Sequence, residues 1–145
     1  MSGGDGALDK YWAALKETYQ REYSEVAADH MVFPRNTGDL IEHDSFGIIN
    51  DENDEIMSIW LKIDKGTVTN AAFATDECLT CTACGSIITE LVRGKTLTDA
   101  LLITPDELAT NLGGLPEEDL SCARLAVDVL HAAIQDYQGQ SGEKS

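Results

Sequence analysis

The sequence predicts an α+β domain in which helices pack a three-stranded antiparallel sheet. Three observations lead there. A helical stripe opens the chain, three short strand-like runs follow with a tight turn between the last two, and helical spacing returns from Cys84 onward. Ala7 to His30 carries Leu8, Trp12, Leu15, Tyr19 and Tyr23 at steps of three or four, and Pro34 ends the stripe because the residue before a proline avoids helical backbone. Asn36-Thr37-Gly38-Asp39 reads as a turn. Phe46 to Asn50 is a short apolar strand. Glu55 to Asp64 and Thr67 to Thr75 form a hairpin about Lys65-Gly66. Cys84 to Arg93 stacks Ile87, Ile88, Leu91 and Val92 on one stripe, with Gly94 placed as a C-terminal cap. A short helix is expected over Thr96 to Leu102. Another starts at Thr104-Pro105-Asp106-Glu107, with Thr as N-cap, Pro in the first turn and Glu107 completing a capping box. After Gly113-Gly114, a long helix runs from Leu115-Pro116 to about Tyr137. The expected organisation is a single domain over 1–138, with 1–22 as a helical N-terminal extension and 139–145 as a disordered polar tail.

Composition narrows the function classes. The 145 residues hold 10 Lys+Arg against 26 Asp+Glu, a net charge of −16. A surface this acidic repels phosphate backbones and argues against a nucleic-acid partner. A 43% hydrophobic share is too apolar for a disordered chain, yet no run approaches the roughly 20 residues of a membrane span. The start Met1-Ser2-Gly3-Gly4-Asp5-Gly6 does not read as a signal peptide, so a cytoplasmic, non-membrane protein is expected. Seven acids and no base lie between Arg35 and Lys62, forming either a solvated face or a docking face for a basic partner. No Ser-His-Asp arrangement, P-loop or dinucleotide fingerprint is present, and an enzyme is not expected.

The unusual chemistry lies in four cysteines. Cys78, Cys81 and Cys84 form a C-x2-C-x2-C run, and Cys122 stands apart. A reducing cytosol keeps thiols free, so metal or sulfur chemistry is favoured over disulfides, with a metal-free CxxC redox pair and plain core packing as the other readings. On a helix from Cys78 the later two sulfurs fall about 300° and 240° around the axis from the first, within one 120° sector. Thiolates ligate zinc and iron–sulfur clusters, and this spacing with a remote cysteine is similar to the bacterial ferredoxin run. Cys122 falls in the first turns of the last helix, where N–H groups favour a thiolate, although Glu117, Glu118 and Asp119 oppose it. Asp54 and Glu55 are candidate oxygen ligands, above all for zinc. His131 faces away from Cys122, His30 is expected to satisfy a helix end, and His43 lies in the acidic loop as a minor candidate. Arg93 and Lys95 read as surface charges.

Several segments together resemble one family. Tyr23-Ser24-Glu25 through Asp29-His30, then Pro34-Arg35-Asn36 and Gly38, are similar to a helix ending in DHxxNPRNxG. Ala72-Phe73-Ala74-Thr75 leads toward Cys78. Glu90, Val92, Gly94, Lys95, Thr96 and Leu97 keep the register of a V-K-G-K-T-L helix end, and Leu120-Ser121-Cys122 with Leu125-Ala126-Val127-Asp128 resembles a segment carrying a third cysteine. By these motifs, residues 23 to 137 resemble the IscU/NifU-type iron–sulfur cluster assembly scaffolds. The resemblance implies a helix-flanked, three-stranded antiparallel sheet that presents three cysteines and an Asp at one end. A cysteine desulfurase delivers persulfide sulfur there, and a [2Fe–2S] or [4Fe–4S] cluster is assembled and passed to apo iron–sulfur acceptor proteins. It makes Cys78 and Cys122 ligands and sulfur acceptors.

The departures carry further expectations. The family's loop cysteine falls at Asn53 and its aspartate at Glu55. The residue before the third cysteine is Ser121. The chaperone motif Leu-Pro-Pro-Val-Lys survives as Leu115-Pro116-Glu117-Glu118-Asp119, with acid in place of base. Cys81 and Cys84 are extra, and they are expected to replace the lost loop cysteine, giving a four-thiolate site of Cys78, Cys81, Cys84 and Cys122. Such a set would hold a [4Fe–4S] cluster tightly. Two other readings compete with a scaffold or carrier: an electron-transfer or redox-sensing protein with a permanent [4Fe–4S] cluster, and a zinc-bound sulfur-acceptor protein. A homodimer bridged through Cys81 or Cys84 is a further expectation.

Overall fold

A computed structural model describes residues 3–21, 23–51, 54–76 and 78–143. Two N-terminal helices, α1 (Gly3–Gln20) and α2 (Glu25–Val32), precede strands β1 (Ser45–Asn50), β2 (Ile56–Asp64) and β3 (Thr67–Thr75). Helices α3 (Leu79–Val92), α4 (Leu97–Ala100) and α5 (Pro105–Asn111) follow, then a 3-10 turn (Glu117–Asp119) and α6 (Leu120–Glu143). The strands form one antiparallel sheet in the order β1-β2-β3, which is the expected α+β architecture.

Strand β2 sets the layering. Its alternate residues Met57, Ile59 and Leu61 are fully buried on the face covered by helices, as the two-residue repeat of a strand requires. Helix α6 packs on β1 and β2, α3 packs on β3 and on α6, and α2 packs on α3. Phe46 and Trp60 pair across β1 and β2 with ring centroids 5.1 Å apart. The hairpin turn takes positive φ at both Lys65 (54°) and Gly66 (79°), the geometry that matches strand twist.

Several boundaries differ from the sequence expectation. The opening stripe is two helices, because Ser24 turns extended and its Oγ accepts the Ala27 N–H at 2.9 Å, starting α2 afresh. The same hydroxyl donates to the Leu112 carbonyl. Helix α3 begins at Leu79 rather than Cys84, because Cys78 serves as N-cap and its Sγ accepts the Cys81 N–H at 3.2 Å. Helix α6 runs to Glu143, so the expected tail from 139 continues the helix to that point. Extending a long packed helix needs no new nucleus.

Gly47 lies on β1 where α6 crosses closest. A Cβ there would stand 2.6 Å from the Ala133 nitrogen and 2.7 Å from the Val129 carbonyl oxygen. Both obstacles are backbone and cannot swing aside. Gly47→Ala is therefore expected to destabilise the fold by about 1–3 kcal/mol, seen as a lower urea midpoint at unchanged slope.

Candidate metal centre

Antiparallel pairing puts the start of β2 and the end of β3 at one edge of the sheet, with Met57 opposite Thr75. The β1–β2 turn is shaped by Asp51. Its backbone N–H donates to the Glu55 carbonyl at 2.9 Å, its carbonyl accepts the Asp54 N–H at 3.0 Å, and its carboxylate accepts the Glu55 N–H at 2.9 Å. Asp54 takes a positive φ of 61° and is exposed, while Glu55 arrives at the head of β2. At the same edge β3 ends and Cys78 caps α3, with the Thr82 hydroxyl donating to its carbonyl at 2.9 Å. The start of α6 brings Cys122 alongside.

Four side chains meet there. One ligand atom each from Glu55, Cys78, Cys81 and Cys122 lies within 4.8 Å of all the others. Cys78 and Cys122 sulfurs are 3.9 Å apart, the Cys81 thiol donates to Glu55 Oε2 at 3.0 Å, and the Cys122 thiol lies 3.9 Å from Glu55 Oε1. Cys81 and Cys122 are 0% and 3% exposed, whereas Cys78 and Glu55 are half-buried and form the open side. Sulfurs on a single tetrahedral zinc stand about 3.8 Å apart, given Zn–S bonds of about 2.3 Å, so the group has the span of a one-ion site.

Cys78 is pushed far below the ordinary thiol range, by the neighbouring Cys122 sulfur first and the Cys81 sulfur next. The neighbouring sulfurs raise Cys81, Cys122 first and then Cys78. Cys78 likewise raises Cys122. Glu55 is also raised, first by the Cys78 sulfur beside it and then by burial, against a lowering by Cys81. Three soft thiols and one hard carboxylate suit iron or zinc, and binding would release the protons held by Cys81 and Cys122.

Of the six residues singled out from the sequence, the structure leaves two outside this group. Cys84 is 0% exposed and packs in the hydrophobic core, where burial raises its thiol. Of the expected four-thiolate set, Cys78, Cys81 and Cys122 gather at the sheet end, and the fourth side chain beside them is Glu55 rather than Cys84. Angle alone put Cys84 in the right sector, but on a helix regular from Leu79 it lies about 9 Å further along the axis than Cys78. Asp54 points to solvent. His43 is exposed and its Nδ1 lies 2.7 Å from the Leu40 carbonyl oxygen, away from the cysteines. Asn53, at the expected loop-cysteine position, lies outside the described residues.

The Asp29–Gly38 motif builds the scaffold behind the centre. Ser86 Oγ accepts the Arg35 N–H at 2.9 Å and is hydrogen-bonded to His30 Nδ1 at 2.6 Å, so one α3 hydroxyl ties both residues of the motif. Burial pushes His30 below its usual value. It therefore serves α3 rather than its own helix end. Burial raises the Asp29 carboxyl, but hydrogen bonds from Arg35 and Lys16 outweigh this and hold it low. Asn36 and Gly38 pair with the backbone of Phe73 on β3. Arg93 does more than read as a surface charge: it donates to Asn36 Oδ1 at 2.6 Å and to Asn70 Oδ1 at 2.5 Å. The His30 shift has a defined pH sign. The unfolded chain takes up its proton near 6.5 and the folded chain only lower, so this contribution to stability is complete above pH 6.5 and is lost as pH falls below it. Urea midpoints measured from pH 7.5 down to 5.5 are expected to fall less for His30→Gln than for the wild type.

Among the described residues no helix is long and apolar enough to cross a membrane. Residues 22–144 match the family model described as the NifU-like N terminal domain, leaving α1 ahead of the match. The chain is 37% identical over 122 residues to "Iron-sulfur cluster assembly scaffold protein IscU 1" of Archaeoglobus fulgidus, covering 83% of this chain and 80% of that protein. It is also 37% identical to the Haemophilus influenzae "Iron-sulfur cluster assembly scaffold protein IscU", covering 83% of this chain and 98% of the other. A crystal structure of the N-terminal part of a NifU-like protein from Brucella abortus shares the fold, with a TM-score of 0.62 at 20% identity over 83% of this chain and 97% of that one. On the family match and these identities, the chain belongs to the NifU-like N terminal domain family.

Proposed function

We propose that this protein is a scaffold on which an iron–sulfur cluster is assembled and from which it is handed on, with Glu55, Cys78, Cys81 and Cys122 as the ligands. The observation that carries this reading is their convergence at one open edge of the sheet, in a chain whose relatives are named as assembly scaffolds. Cys81 stands in for the loop cysteine absent at Asn53, and Glu55 for the aspartate, so three thiolates and one carboxylate are kept by a different route. A carboxylate is the hard member of a soft set and releases iron more readily than a fourth thiolate would, which suits a cargo that must leave. This also weighs against a permanent redox cluster. The chain supplies ligands rather than turnover. Its partners are a cysteine desulfurase as sulfur source and apo iron–sulfur proteins as recipients, within one domain over 1–138 acting in the cytoplasm.

A second reading is favoured by the one-ion span of the group: between cargoes the site holds a single zinc. Anaerobic reconstitution with ferrous iron and sulfide, followed by iron, acid-labile sulfide and zinc counts per chain, separates the two. The scaffold reading expects iron and sulfide in equal amounts after desalting. Zinc without sulfide, retained through reconstitution, contradicts it.

A further inference from the structure

Cys78, Cys81 and Cys122 are placed by two helices, as the cap and first turn of α3 and the start of α6, whereas Glu55 is placed by the β1–β2 turn. Between Asn50 and Ile56 that turn offers four carboxylates in five residues: Asp51, Glu52, Asp54 and Glu55. The backbone must therefore select the one that meets the sulfurs. Beyond Glu55 the sheet holds the chain, because the Ile56 carbonyl accepts the Thr75 hydroxyl at 2.7 Å and Met57 pairs with Thr75. Before it the hold is Asp51. Asp51 Oδ1 accepts the Glu55 N–H at 2.9 Å, the Asp51 N–H donates to the Glu55 carbonyl at 2.9 Å, and the Asp51 carbonyl accepts the Asp54 N–H at 3.0 Å. Short acidic side chains lead turns in this way, by bonding backbone a few residues on. The turn so closed leaves Asp54 exposed, and Glu55 Oε2 takes the Cys81 thiol at 3.0 Å.

We infer that Asp51 is a positioning residue of the centre: its carboxylate fixes the backbone at Glu55, and so decides which acid of the turn serves as ligand and how tightly metal is held. The inference rests on the scaffold reading, because it takes Glu55 as a ligand. Asp51 is not itself one of the four converging side chains, and it acts through the Glu55 amide. A ligand on a fixed backbone gives up only side-chain freedom when metal binds, whereas one on a loose turn gives up backbone freedom as well. Groups that orient a metal ligand in this indirect way are worth about 10- to 100-fold in affinity. Fixing the backbone also suits a centre that loads and unloads. Only the Glu55 side chain has to swing for cargo to leave, and it returns to the same place for the next load.

The test titrates cobalt(II) into the full-length, metal-free protein without oxygen, against a competing chelator, and follows the sulfur-to-cobalt absorption. Asp51→Asn and Asp51→Ala both lack the charge, but only the first keeps a side-chain oxygen to accept the Glu55 N–H. Asp51→Asn is expected to bind cobalt at least about tenfold more tightly than Asp51→Ala. With Glu55→Gln added to each, the two are expected to bind alike, because the ligand that Asp51 positions is gone. A change that merely loosened the fold would keep the gap in that background. Equal affinities of Asp51→Asn and Asp51→Ala, a gap that survives Glu55→Gln, or no cobalt on the wild type would each overturn the inference. Hydrogen exchange of the Glu55 amide keeps the test decisive if Asp51→Ala folds poorly: protection is expected in the wild type and in Asp51→Asn, and a freely exchanging wild-type amide contradicts the inference. Reconstitution with ferrous iron and sulfide in parallel separates the two claims. A cluster on the wild type with no cobalt gap sinks the role of Asp51 and leaves the scaffold standing, whereas a cobalt gap with no cluster keeps Asp51 and sinks the scaffold.

Discussion

Replacing Cys81 by serine is expected to strip the reconstituted protein of most of its iron and sulfide, while Cys84→Ser leaves both unchanged. The two residues lie one helical turn apart and both are fully buried, so burial does not distinguish them. Their surroundings do. Cys81 shares the centre with Glu55, Cys78 and Cys122, and Cys84 packs in the core. Loss of a group that merely orients a ligand costs about 10- to 100-fold in metal affinity, so loss of the ligand itself is expected to cost more. Cys84→Ser puts a hydroxyl into an apolar site and is expected to lower stability by about 1–3 kcal/mol without touching the iron count. Iron and sulfide per chain after desalting, beside a urea titration of each variant, separate the two effects. Equal iron loss in both variants would restore the four-thiolate site.

Glu55→Cys is the second large change. It converts three thiolates and a carboxylate into four thiolates on the same backbone position, at the head of β2. Soft thiolate ligands hold iron–sulfur clusters more firmly than carboxylate does. The variant is expected to load as well as the wild type and to pass its cluster to an apo-acceptor at least about tenfold more slowly. The measurement is the rate at which a [2Fe–2S] apo-ferredoxin gains its spectrum. An unchanged rate would mean that the carboxylate does not govern release.

Much of the fold is legible because its signals are local. Lys65-Gly66 between two apolar runs specifies a hairpin. Thr96 and Thr104 are ordinary N-caps, and their side chains accept from Asp99 and Glu107 as such residues do. What the sequence hides is set by contacts far along the chain or by unusual caps. The periodic stripe continues through Ser24, so nothing local shows that α2 restarts there; the partner that holds Ser24 is Leu112. Cysteine is not a usual N-cap, and Cys78 takes that role where three sulfurs and a carboxylate gather. The ligand candidates are visible as a spacing, but the spacing gives only angle around the axis. Depth along it sends Cys84 into the core, and the turn built on Asp51 brings Glu55, not its neighbour Asp54, to the site. The His30–Ser86–Arg35 bridge has no sequence signal beyond the motif itself, because Ser86 lies far along the chain on α3.

Whether cargo leaves the centre separates a scaffold from a resident cluster. The protein, reconstituted without oxygen and desalted, is mixed with a [2Fe–2S] apo-ferredoxin, and iron and sulfide are counted on each protein after separation. Movement of both from this chain to the acceptor, leaving the centre able to load again, is the predicted result. Iron and sulfide that stay with this chain through reversible reduction and reoxidation, with no gain by the acceptor, would contradict it and make the centre a resident redox cluster.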